Sequence, residues 1–308
     1  MQIHKIYIRS AKGITLIELI IVISIMSILA TVIGPLIAKP MESYVAQNRR
    51  GTLVDNGQHA VEHMLREIHL AVPNSIRVNP AGTAIEFLRT VDGGRYREKT
   101  DLNNADVLQF TPNLDTAFDT IGSLETCSDP RMNVDGNAAD CFNGVANCLV
   151  IGNRGVSAIP NVNQDIDAYN EINMATIKTC VATGRNGENK ITYFNDRLKG
   201  LAGPPVVISK TFPKPVAGHR FQIVDTAVSY VCDLGTGEIR KYIGYGINPI
   251  QAVPPVGGTN SVLVTGVTAC SFTSLRQSSH DILTAHIAVS ADGESVSLMQ
   301  QTRVSNTP

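Results

Sequence analysis

The sequence predicts an α+β protein, with a long N-terminal helix followed by an antiparallel β-rich C-terminal head. Three observations carry this. Residues 14–38 form an almost uninterrupted apolar run. Apolar side chains then continue at helical spacing to Val72. Beyond Ser75 that period gives way to short alternating runs separated by turn residues.

The apolar run reads ITLIELIIVISIMSILATVIGPLIA from Ile14 to Ala38 and holds one charge, Glu18. From Leu19 onward twenty consecutive residues are uncharged, which as a helix is about 30 Å, the thickness of a bilayer core. Lys5, Arg9 and Lys12 precede it without an acid among them, which predicts a cytoplasmic N-terminus and a head on the far side of the membrane. Glu18 is out of place in a plain anchor, because a carboxylate costs roughly 2.5–3.5 kcal/mol at mid-bilayer. A secretory signal is a poorer description, since A-T-V-I-G-P-L-I-A offers only a weak cleavage site. Ser24, Ser27, Thr31 and Gly34 recur in steps of three and four residues on one helical face, a stripe that lets another helix approach closely. Gly34-Pro35 is expected to weaken or kink the helix, and Pro40 to add a second break.

Residues 39–72 then read as the second half of this helix. Val54, Val61, Leu65, Ile68 and Val72 share a face with Gly57 and Met64, between polar Arg49, Asp55, Glu62 and Glu67. Pro73-Asn74 is expected to end it. The head, residues 73–308, shows β-type runs at Ala84–Leu88, Val107–Phe110, Cys148–Ile151, Lys190–Phe194, Val206–Phe212 and Arg220–Val224. Val228–Asp233 and Glu238–Tyr245 flank Gly235-Thr236-Gly237, and alternating runs flank Asp292-Gly293, so each pair reads as a hairpin. The stretch 112–170, rich in Asn, Asp and Gly, reads as a loop-dominated insertion.

Six cysteines without a C-x-x-C pair point to disulfides in an oxidising compartment rather than a thiolate zinc site. Cys232 with Cys270 is the expected bond between β segments. Cys127, Cys141, Cys148 and Cys180 are expected to pair within the insertion, and of the three possible pairings Cys127–Cys141 with Cys148–Cys180 is adopted here.

The balance of 26 basic and 27 acidic residues in 308, net charge −1, argues against a nucleic-acid partner. With 43% apolar and 17% charged residues, the chain is no disordered tail. His59-Ala60-Val61-Glu62-His63 matches H-x-x-E-H, which in a metallopeptidase needs two imidazoles on one face, a third ligand and a glutamate base. No third ligand can be assigned, so the motif reads as a helix face. Asn133-Val134-Asp135-Gly136-Asn137 has the look of a calcium loop, but Arg131 stands where its first carboxylate belongs. No Walker loop, nucleophile elbow or dinucleotide fingerprint is present. No metal site, cofactor or enzymatic activity is therefore expected.

Lys12-Gly13-Ile14-Thr15-Leu16-Ile17-Glu18 resembles the processing site of type IV prepilins. The resemblance implies a leader of residues 1–13, cleavage by a prepilin peptidase after Gly13, and N-methylation of Ile14. The family usually has Phe at that first mature position. It further implies that Glu18, the fifth mature residue, pairs with the terminal amine of a neighbouring subunit in an assembling filament, where a cationic partner makes the acid tolerable. Partners would then be other major and minor pilins, through the N-terminal helix, and the inner-membrane assembly machinery. The protein would sit in the bacterial inner membrane, head periplasmic, and later in a pilus. Leu65-Arg66-Glu67-Ile68, Val72 to Val78, Leu149 to Asn153, Ser229 to Asp233, Ala269 to Phe272 and the ending Val304 to Pro308 are similar to minor pilins of the MshO type, of the mannose-sensitive haemagglutinin pilus. That implies a low-abundance subunit acting in filament initiation or at the tip. The alternatives are a J-like minor pseudopilin of a type II secretion system, and a tip adhesin whose insertion binds a ligand.

Overall fold

The structure, a computed structural model, describes residues 13–99, 105–110, 115–134, 141–155, 167–170, 173–183, 185, 187–194, 196–199, 206–209, 212, 218–277 and 280–305. The chain divides into two compact units, Met1–Thr52 and Leu53–Pro308. One helix, α1 (Leu16–Ile68), contributes to both. Neither Pro35 nor Pro40 ends it, so the second break expected at Pro40 is absent. A proline removes one backbone bond, and the bonds around it maintain the ladder.

At its other end α1 stops at Ile68, short of Val72. The backbone of the next residues joins a sheet instead: Val72 donates to Leu88 O at 2.9 Å, and Leu70 O accepts from Thr90 at 2.7 Å. The residue before a proline is disfavoured in α geometry, which suits Val72 to this extended pairing. Asn74 then takes a left-handed turn, φ 62°, a conformation Asn tolerates better than most residues.

Fourteen strands follow among the described residues. They are β1 (Arg77–Val78), β2 (Ala84–Tyr96), β3 (Ala117–Ile121), β4 (Cys148–Val150), β5 (Met174–Ala182), β6 (Asn189–Tyr193), β7 (Asp196–Lys199), β8 (Val206–Ser209), β9 (Arg220–Asp233), β10 (Glu238–Ile243), β11 (Thr259–Thr265), β12 (Val267–Arg276), β13 (His280–Ala291) and β14 (Glu294–Ser305). The long antiparallel ribbon of β2 and β9 organises the head, with Ala84 opposite Val231 at one end and Arg95 opposite Arg220 at the other. Register shifts between Arg89 and Asp92 divide it in two, as bulges bend a strand.

In one half, β1, β2, β9, β10 and β11 lie side by side as an antiparallel sheet. In the other half the strands close a circuit, β2–β3–β6–β5–β4–β9 and back to β2. Tyr96, Phe118, Leu149, Ile177, Ile191, Phe221 and Ile223 fill this small barrel and are fully buried. Phe118 and Phe221 meet edge to face at 5.3 Å between centroids. Gly94 makes room for them, since a Cβ there would lie 2.9 Å from the Phe221 ring. The remaining long strands, β12, β13 and β14, form a separate antiparallel meander.

The last turns of α1 hold the head's largest core together. Val61, Met64 and Ile68 pack with Ile85, Phe87, Val228 and Tyr230 of the five-stranded sheet and with Leu283, Ala285, Ile287 and Val289 of β13. The other face of that sheet carries a third core, in which Leu88, Val224 and Ala227 meet Tyr169, Met174 and Tyr245.

Several expectations need correcting. Arg220–Val224 and Val228–Asp233 are one strand. Its residues Phe221 to Cys232 are almost all buried, because both faces are covered and alternation is lost. Val107–Phe110 is not a strand. Within the stretch 112–170, β3 and β4 belong to the barrel. Within it the buried Asn153 accepts through Oδ1 from Ala168 N at 2.9 Å, and the exposed Asn133 accepts through Oδ1 from Cys180 N at 3.1 Å. Of the stretch that has the look of a calcium loop, residues 135–137 lie outside the described residues. Disulfides join Cys232 to Cys270, Cys127 to Cys180 and Cys141 to Cys148. The pairings Cys127–Cys141 and Cys148–Cys180 are therefore replaced. Asn133 holds Cys180 N and donates to Cys127 O at 3.3 Å, which draws those two cysteines to the same spot.

Candidate functional site: the start of the helix

Gly13 and Ile14 precede α1 in open surroundings. A Cβ on Gly13 would meet nothing within 4 Å, and Ile14 is 74% exposed. Thr15 begins the helix. Its hydroxyl accepts from Glu18 N at 3.3 Å, and its carbonyl accepts from Leu19 N at 3.1 Å. Thr15-Leu16-Ile17-Glu18 is thus the T-x-x-E pattern of a helix start, and it places the carboxylate in the first turn, where the helix dipole favours an anion. The residue pattern alone carries this signal. Glu18 therefore has a local stabilising partner, and its side chain remains exposed.

Downstream, the window Leu16–Ile33 is long and apolar enough to cross a membrane, and none of it is buried. Its hydroxyls are satisfied within the helix. Ser24 donates to Ile20 O, Ser27 to Ile23 O and Thr31 to Ile28 O, each at 2.8 Å. Such self-satisfaction is what hydrocarbon demands of a polar side chain, and it leaves the small-residue face free of unmet donors. Gly34 and Pro35 are helical.

The H-x-x-E-H motif is split between two surfaces. His59 and His63 line a groove beside β11. Glu62 lies at a second groove next to Gln300 and Gln301 of β14, and Gln58 donates to it at 2.8 Å. Among the described residues no group of three or more His, Cys, Asp or Glu is placed to hold a metal ion. The glutamate and the two histidines thus face different grooves.

One turn on, Glu67 ties the helix to the sheet. It pairs with Lys241 of β10 and accepts from the Tyr230 hydroxyl of β9. Burial opposes its ionisation, but the bonds from Lys241 and Tyr230 and the ammonium's charge outweigh that and hold its pKa below the usual carboxylate value. Burial, and then the bond to Glu67, push Tyr230 far up. Glu86 shows the opposite balance. It is 2% exposed, and burial raises its pKa despite Arg77 at 2.9 Å. No sequence signal connects Glu67 to partners 163 and 174 residues away.

Comparison with curated proteins and with solved structures finds no match for this chain. Residues 8–34 match the family described as the prokaryotic N-terminal methylation motif. That segment takes in Gly13, the capped helix start, Glu18 and the exposed apolar window, and the match supports a type IV prepilin-like, membrane-anchored protein.

Proposed function

We propose that this chain is a minor type IV pilin of the mannose-sensitive haemagglutinin class, with a structural role in starting or capping a filament. The observation that carries the reading is the match of residues 8–34 to the methylation motif, on a helix whose first turn holds Glu18 and whose opening window, Leu16–Ile33, is apolar and exposed. Prepilin peptidase cuts between Gly13 and Ile14, and Ile14 is N-methylated. Glu18 then meets the new terminal ammonium of a neighbouring subunit, a pairing that offsets the cost of an acid in lipid. Ser24, Ser27, Thr31 and Gly34 give the face along which helices meet. The head faces the periplasm, in keeping with its three disulfides. The protein acts by assembly and needs no catalytic group.

The test is the intact mass and N-terminal sequence of the protein extracted from membranes. The expected chain begins at Ile14 and is heavier by one methyl group. A chain that keeps Met1 in cells with active prepilin peptidase would refute the reading. Deletion separates the two assembly classes: loss of surface pili supports the pilus role, and loss of protein export with intact pili assigns the chain to a type II secretion system instead.

A further inference from the structure

At the barrel end of the β2–β9 ribbon two arginines stand directly opposite each other. Arg95 of β2 pairs in register with Arg220 of β9. Their neighbours Tyr96 and Phe221 fill the barrel and are buried, so strand alternation puts Arg95 and Arg220 together on the outer face. Both are exposed. Side chains in this relation start about 5 Å apart, and like charges there destabilise a sheet.

No acid offsets the pair. On its other side Arg95 faces Ile121 of β3, which is 49% exposed. The diagonal positions hold Gly93, Gln222, Arg97 and Gly218. The carboxylates around this part of the barrel are engaged elsewhere: Glu188 with Arg97, Asp119 with Arg185, Asp106 with Lys190 and Glu98 with His219. Among the described residues neither Arg95 nor Arg220 has an ion pair. Gly218 presents no side chain to Arg220, whose Nε lies 3.7 Å from where its Cβ would be. The corner therefore offers two open guanidinium groups to solvent. A guanidinium matches the oxygens of a phosphoryl group in shape and charge. Two of them match a dianion: a phosphomonoester carries about −1.5 to −2 at pH 7, whereas a carboxylate would leave one arginine unanswered.

We propose that Arg95 and Arg220 form an anion clamp for a phosphomonoester group, with one guanidinium on each side of the phosphoryl oxygens. The bound dianion replaces the repulsion between the two arginines with charge-assisted hydrogen bonds to both. A soluble molecule or a lipid headgroup can carry the same group. The inference does not depend on how the N-terminal helix is processed.

The test uses the full chain in micelles of a neutral detergent, with isotope-labelled arginine and the side-chain Nε–H signals of Arg95 and Arg220 read by NMR. Methyl phosphate is titrated at constant ionic strength. The expected result is a saturable shift of both signals, half complete on the order of 1 mM, with acetate weaker by about tenfold. Arg95→Gln is expected to weaken the response of Arg220 by about tenfold. The same variant should unfold at no lower denaturant concentration than wild type, because it relieves the repulsion. A second arm replaces methyl phosphate with phosphatidic acid carried in the micelle. Saturation at a lower concentration of the lipid assigns the clamp to a headgroup, saturation at a lower concentration of methyl phosphate assigns it to a soluble ester, and either supports the proposal. Four results would overturn it: shifts that do not saturate, equal half-points for methyl phosphate and acetate, an Arg220 response unchanged in Arg95→Gln, or a destabilised Arg95→Gln, which would make the pair structural.

Discussion

Glu67→Gln tests how α1 is fastened to the sheet. The substitution keeps the shape and still accepts the Tyr230 hydroxyl, but it removes the charge facing Lys241 and leaves that ammonium without its partner. The Glu67 and Lys241 side chains are 18% and 14% exposed, so the pair lies between two known limits. Exposed pairs contribute at most about 1 kcal/mol, and removing one member of a fully buried pair costs about 3–5 kcal/mol. A loss of about 2 kcal/mol is therefore expected at neutral pH. Because the folded pKa of Glu67 is lowered, its contribution is present above the unfolded carboxylate pKa and is lost as pH falls through the folded one. The gap between wild type and Glu67→Gln should accordingly close in acid. Glu86 must behave in the opposite sense. Its folded pKa is raised, so its contribution is present below the unfolded pKa and is lost as pH rises through the folded one. With eight tyrosines and no tryptophan, denaturant unfolding of the full chain in micelles can be followed by tyrosine near-ultraviolet dichroism, and Lys241→Met completes a double-mutant cycle. A cost below about 0.5 kcal/mol, or a gap that does not narrow in acid, would refute the assignment of Glu67 as a charged fastening.

Three further outcomes are expected. Glu18→Ala should leave cleavage at Gly13 intact by mass yet prevent incorporation into surface filaments, as counted by electron microscopy. Thr15→Ala removes the hydroxyl that holds Glu18 N and should cost the first turn about 1 kcal/mol, seen as faster amide exchange over residues 16–19 in micelles. Replacing each disulfide by a pair of serines should destabilise in the order of loop length. The cost is about 4 kcal/mol for Cys127–Cys180 and slightly less for Cys232–Cys270, against about 2 kcal/mol for Cys141–Cys148, as the closed loops span 53, 38 and 7 residues. Denaturation midpoints of the three variants give the ranking.

How much of this could be read from residues alone depended on the range of the interaction. The membrane-length helix, the stripe from Ser24 to Gly34 and the position of Glu18 follow from spacing along one helix, and all are local. The hairpins at Gly235 and Asp292-Gly293 were legible because turn chemistry acts between neighbours. In the stretch 112–170 the run Cys148–Ile151 was legible as a strand but β3 was not, and Asn153, of a residue type that usually meets water in loops, here satisfies the buried main chain of Ala168. The H-x-x-E-H pattern reads as a helix face, and the structure places Glu62 at a different groove from the one that takes His59 and His63.

By itself the sequence determined the class of the molecule, a long helix with a membrane-length apolar start and an antiparallel β-rich head, because hydrophobic period and turn residues each act over a few positions. Only the tertiary structure decided where α1 stops, that β2 and β9 are shared between a barrel and an open sheet, which cysteines meet, and that β11 is left as an edge. Those outcomes depend on contacts between segments apart in sequence, from Val72 with Leu88 nearby to Gly94 with Phe221 more than a hundred residues on. Val72 pairs with Leu88 rather than extending its helix, and Phe221 enters the barrel where Gly94 leaves space. Such competition is settled by packing, and no single window of sequence contains it.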